Sequence, residues 1–154
     1  MTDWRKCAAL GLLLATPFAG ELAAAPACFQ DKDIEADQGI RFQTDVMVLS
    51  DACGVDSYQR FATRNRDAIM VYRNQMVDHY RRGGDRRPED SLDRFMTGLA
   101  NQMSLENGGE PLPALCARRA AFLSDAAALN RDQFQHRVAD LAVQNARSYK
   151  KCSN

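Results

Sequence analysis

Residues 56–82, DSYQRFATRNRDAIMVYRNQMVDHYRR, place Tyr58, Phe61, Ile69, Tyr72, Met76 and Tyr80 on one face, with Ala62 and Ala68 filling it. That spacing belongs to an amphipathic helix sustained for about seven turns, since neighbours three and four apart share a helical face. Asp56 or Ser57 supplies an N-terminal cap, Gly83-Gly84 ends the run, and Arg81-Arg82 stand where cations complement the helix dipole.

The same reading extends outward. Pro88 suits a first helical turn, with Glu89 and Asp90 at the positive end of the dipole, and Leu92, Phe95, Met96, Leu99 and Met103 follow before Asn107-Gly108-Gly109. Between Pro113 and Leu129, the residues Leu115, Cys116, Phe122, Leu123 and Ala126 form a third stripe, helped by helix-favouring alanines. Asn130 with Gln133 resembles a capping box, and Phe134, Val138, Leu141 and Tyr149 give the last helix its apolar face. Residues 40–52 carry Ile40, Val46, Met47, Val48 and Leu49 and read as a shorter helix, while 28–39 read as an irregular acidic leader. No alternating strand pattern occurs elsewhere, so the expectation is an all-α bundle of about five helices in a single domain over 40–152.

Residues 1–27 look like an address. Arg5 and Lys6 precede a stretch without charge from Cys7 to Gly20, and a small-residue run Ala23-Ala24-Ala25-Pro26-Ala27 follows. This is the three-region outline of a secretory signal peptide, and the apolar part is shorter than the roughly 20 residues that span a bilayer. Cleavage after Ala24 or after Ala27 fits the outline, the latter leaving Cys28 first. Acylation of that cysteine is disfavoured, because Ala25 stands where lipoprotein signals carry a Leu-like residue. The expected location is the periplasm or the medium.

Export bears on the sulfur chemistry. Without Cys7, four cysteines remain, Cys28, Cys53, Cys116 and Cys152, with no C-x-x-C pair and no histidine nearby. An exported chain with that inventory reads as two disulfides rather than as a zinc or redox centre. Sequential pairing, Cys28 with Cys53 and Cys116 with Cys152, closes the shorter loops and is the first expectation. A Cys28 to Cys152 staple is its rival, because chain ends often lie close together in small domains.

The 20 basic and 20 acidic side chains balance, but not locally. Residues 28–56 carry a net charge of minus five, 57–87 carry plus five, and 88–154 carry none. The acidic segment is expected beside the basic helix of its own chain, each screening the other. A sharper alternative uses Arg81, Arg82, Arg86 and Arg87 around Gly83-Gly84 to grip an anionic envelope component, since guanidinium forks suit phosphate. Nucleic acid is not an expected partner, because the basic excess is small and locally countered.

Little else suggests chemistry. His79 and His136 have no second ligand at a metal spacing, so neither a metal nor a cofactor is expected, and no catalytic residue is assigned. His79, next to Asp78, reads as a surface or boundary imidazole. Met47, Met70, Met76, Met96 and Met103 would suit a pliable groove, although core packing is the ordinary role of methionines at these spacings.

Phe42-Gln43-Thr44-Asp45-Val46-Met47-Val48, Cys53, Tyr58 with Phe61, the stretch Leu92-Asp93-Arg94-Phe95-Met96-Thr97-Gly98-Leu99-Ala100-Asn101, and Cys116 resemble an uncharacterised family of small exported Gram-negative bacterial proteins. The similarity spans about 42–123 and implies export and cysteines, with no catalytic or binding residues to carry over; the leader 28–39 departs from it. Two function classes follow. A non-enzymatic envelope protein, binding another envelope protein or an anionic component, should show an exposed apolar or arginine-rich patch with His79 outside any cleft. A small hydrolase-like enzyme should instead place His79 in a concave pocket beside a carboxylate or hydroxyl.

Overall fold

A computed structural model describes residues 28–153, so the expected signal segment 1–27 lies outside the described residues. Among the described residues five α-helices follow one another: α1 (Asp31–Cys53), α2 (Ser57–Arg82), α3 (Pro88–Asn107), α4 (Leu112–Ala128) and α5 (Arg131–Asn145), with a 3-10 turn at Ala146–Ser148. The all-α bundle and its two disulfides are therefore present.

The organising element is α1, and this corrects the expected irregular leader at 28–39. Its helix begins at Asp31, where the Gln30 N–H donates to Asp33 Oδ2 at 2.8 Å and so secures the first turn. It packs against each of the other four helices. Ile34, Ala36, Ile40, Phe42, Val46 and Leu49 are buried, but so are Asp33, Asp37, Gln38, Gln43 and Thr44. A helix enclosed on most sides shows no one-sided apolar stripe, and its polar residues make it read as an irregular acidic leader until their burial is known.

Around α1 the predicted stripes meet as expected. Phe61 of α2 and Phe134 of α5 are in edge contact with centroids 4.9 Å apart, and Phe42 lies 5.6 Å from both. Tyr72 and Phe122 extend the cluster. Such pairs add about 0.5–1.5 kcal/mol each beyond the area they bury. The Asn130 cap forms reciprocally: its Oδ1 accepts from Gln133 N and its N–H donates to Gln133 Oε1, both at 3.0 Å.

The sequential disulfide pairing is overturned. Cys28 bonds to Cys152 and Cys53 to Cys116, with Cα atoms 4.8 and 5.6 Å apart. The physical reason is the placement of α1: it runs away from Cys28 for its whole length, so Cys53 ends up at the far end of the bundle beside the start of α4. The chain ends meet instead, where Phe29 N donates to Lys150 O at 2.9 Å and Cys152 N donates to Phe29 O at 3.1 Å. The two bridges close loops 124 and 63 residues long in sequence separation, and loop-closure entropy would assign each about 4–5 kcal/mol.

Candidate functional site

The two ends of α1 have different characters. At its C-terminal end, the end of α1, the start of α2, the end of α3 and the start of α4 leave an open groove of about 680 Å³. Met47, Val48 and Ala52 of α1, Val55, Tyr58, Ala100 of α3, and Leu112 and Leu115 of α4 give it apolar walls. Ser50, Asp51, Gln59, Ser104, Asn107 and Glu110 add polar groups. That volume lies within the range of about 300–1,000 Å³ common to binding pockets. Val55 and Leu112 remain 46% and 51% exposed at the groove, an open apolar surface rather than a filled core.

Local chemistry holds these walls. Ser50 Oγ accepts from Tyr58 N at 3.0 Å, satisfying a first-turn N–H of α2 from a neighbouring helix. The Cys53–Cys116 bridge ties the end of α1 to α4 between the lining residues Ala52 and Leu115. Asp45 pairs with Arg119, whose guanidinium also lies 4.5 Å from the Phe122 ring centre. Burial pushes the Asp45 carboxyl above its ordinary range, and Arg119 offsets only part of that.

At the opposite end, roughly 20 Å along α1 from Met47 by helical rise, the interior is polar. Asp33 is buried and accepts from Gln75 Nε2 at 2.6 Å, from Arg82 Nη2 at 2.5 Å and from the Gln30 N–H, while His79 Nδ1 lies 3.4 Å away. Burial raises its carboxyl, but the bonds from Arg82, Gln30 and Gln75 outweigh that and hold it below the ordinary range. One turn on, Asp37 accepts from Arg41 Nε at 2.7 Å and from the Tyr149 hydroxyl. Burial, with the Asp37 hydrogen bond next, pushes the Tyr149 phenol up to about 12. Gln38 donates to the Tyr149 oxygen at 2.6 Å and accepts from Asn145 Nδ2 at 3.1 Å, so the network joins α1 to the C-terminal tail.

His79 is not the surface or boundary residue expected. It is 3% exposed, one turn beyond Met76 on the buried face of α2, with the Phe29 ring centre 4.2 Å from its own. It meets Asp33 rather than a group in the groove, and it is not among the groove-lining residues. Spacing was the available signal: Phe61, Asn65, Ala68, Tyr72, Met76 and His79 are all buried at three- and four-residue intervals. Asn65 belongs to the same missed set, donating to Phe61 O at 2.9 Å and to Leu129 O at 3.1 Å.

The four arginines do not converge as free cations. Arg82 pairs with Asp33, so the acidic segment and the basic helix do meet at that point. Arg81 pairs with Asp78 and Glu89, and Arg87 lies 3.4 Å from Asp90. Arg86 is exposed and makes no ion pair among the described residues. Of the methionines, Met47 lines the groove, Met76 is buried in the core, Met96 and Met103 pack against it, and Met70 is exposed. His136 is exposed on α5. Among the described residues, no three of His, Cys, Asp and Glu gather in a metal-ligating group, and no helix is long and apolar enough to cross a membrane.

No model of a known protein family matches the chain, nor does any curated protein or solved structure.

Proposed function

We propose that the protein is exported to the periplasm or the medium and acts there as a non-enzymatic binding protein of the cell envelope, holding a partner protein in the groove. The observation that carries this reading is the separation of the two ends of α1: the open apolar groove lies at one, and His79 is enclosed at the other beneath Phe29. A hydrolase built on His79 would need substrate to reach an imidazole that is shielded from solvent. Two disulfides favour an oxidising compartment, in keeping with the signal-like outline of 1–27. With its sulfur committed to Cys152, Cys28 has no valence left for a thioether-linked lipid, which favours a form without that anchor.

Photocrosslinking in the native host tests the reading. A photoreactive residue at Val55 or Leu112, at the groove, should yield a discrete adduct with another envelope protein, and one at exposed Val143 on α5 should not. Intact-mass measurement of the natural product should show residues 1–27 or 1–24 missing and four hydrogens fewer than the reduced chain. Adducts of equal yield from all three positions, or a retained leader with free thiols, would overturn it.

A further inference from the structure

The charge at the groove specifies what it would hold. Among the described residues, Asp51 and Glu110 are its only ionisable side chains besides the Tyr58 phenol, and no Lys, Arg or His lines it. Glu110 already accepts from Arg118, which lies outside the lining, whereas exposed Asp51 makes no ion pair among the described residues. An apolar trough with an uncommitted carboxylate at its edge favours an apolar occupant that also carries positive charge, and it repels an acidic one. The amides of Gln59 and Asn107 add neutral hydrogen-bonding groups suited to a polypeptide.

Resting on the binding reading above, we propose that the occupant is an amphipathic segment of a partner polypeptide, with apolar side chains against Val55, Ala100 and Leu112 and a Lys or Arg paired with Asp51. Helix-in-groove recognition uses apolar anchors at three- and four-residue intervals, and a flanking cation sets orientation and selectivity more than total affinity. A rim ion pair is worth little by itself, so the expected discrimination is modest and sensitive to salt.

The test uses the full oxidised protein and two labelled synthetic helical peptides of equal length with identical leucine anchors, one carrying Lys at its polar positions and the other Glu, read by fluorescence polarisation. The Lys peptide should bind about 3- to 10-fold more tightly than the Glu peptide at low salt, as expected for gaining one rim pair and losing a repulsion. Asp51→Asn should bring the ratio close to one, and added salt should narrow it in the wild type. Ala100→Trp should block both peptides by filling the groove, and Val55→Ser, at an exposed position, should weaken the apolar contact to both peptides without adding charge. Equal binding of the two peptides, a preference for Glu, a Lys preference that survives Asp51→Asn, or binding of neither peptide would overturn the cationic occupant. Groove adducts from Val55 alongside any of those results would leave the binding reading standing; absence of groove adducts would remove that reading as well.

Discussion

The ring of Tyr72 rests on the bare backbone of α1 at Gly39: a Cβ added to Gly39 would lie 2.4 Å from Tyr72 Cδ2. Glycine in a helix interior costs about 0.5–1 kcal/mol relative to alanine, so this close approach of α1 and α2 is maintained against local preference. Gly39→Ala should destabilise the protein by about 1–3 kcal/mol, because the steric conflict exceeds the gain in propensity. In a Tyr72→Ala background the same change should be neutral or stabilising, and chemical denaturation of the four variants measures the coupling.

Asp33 joins the start of α1 to the end of α2 through Gln75, Arg82 and His79. Asp33→Asn should lower stability by about 2–4 kcal/mol at pH 7, the lower part of that range applying because Arg82 is partly exposed and regains water. The folded carboxyl titrates below its unfolded value, so its contribution is complete above about pH 4 and disappears as pH falls through the folded pKa. The gap between wild type and Asp33→Asn, followed by denaturant midpoints from pH 7 downward, should therefore hold steady to about pH 4 and then close.

Phe29, which follows Cys28 of the Cys28–Cys152 bridge, lies against His79. The double variant Cys28→Ala/Cys152→Ala should lose about 2–5 kcal/mol, the loop-closure value being the upper end, and leave the terminal clasp free to open. His79 should then react with diethylpyrocarbonate at a rate approaching that of exposed His136, which serves as the internal standard. An unchanged His79 rate would mean that the remaining contacts hold the clasp without the sulfur link.

Asn65 supplies hydrogen bonds that an apolar residue could not. Its Nδ2 reaches the carbonyl of Leu129, just past the end of α4, and so anchors the turn into α5. Asn65→Ala should cost about 1–3 kcal/mol by leaving that carbonyl unpaired, with faster amide exchange at the start of α5 as the accompanying local signature.

Four of the five helices were legible because each shows an apolar stripe with terminal signals, as in Tyr72 and Met76 on α2 or the Asn130 cap of α5. The early half of α1 was not. Asp33, Asp37 and Gln38 look like surface residues until their partners on α2, α5 and the tail are known, and those partners lie 42 to 112 positions away in the chain. The groove is illegible for a similar reason: four helix ends build it, and of the five methionines whose character suits a groove, only Met47 lines it.

From sequence alone came the helical class, the signal-like start of the chain and the expectation of two disulfides, because periodicity, composition and residue counts are local quantities. Which cysteines meet, that His79 is enclosed, that Arg82 is already occupied and that helix ends leave a groove were decided only by the tertiary structure. The reason is that each depends on how α1 crosses the other four helices, and a helix buried on several sides carries no periodic signal of its direction.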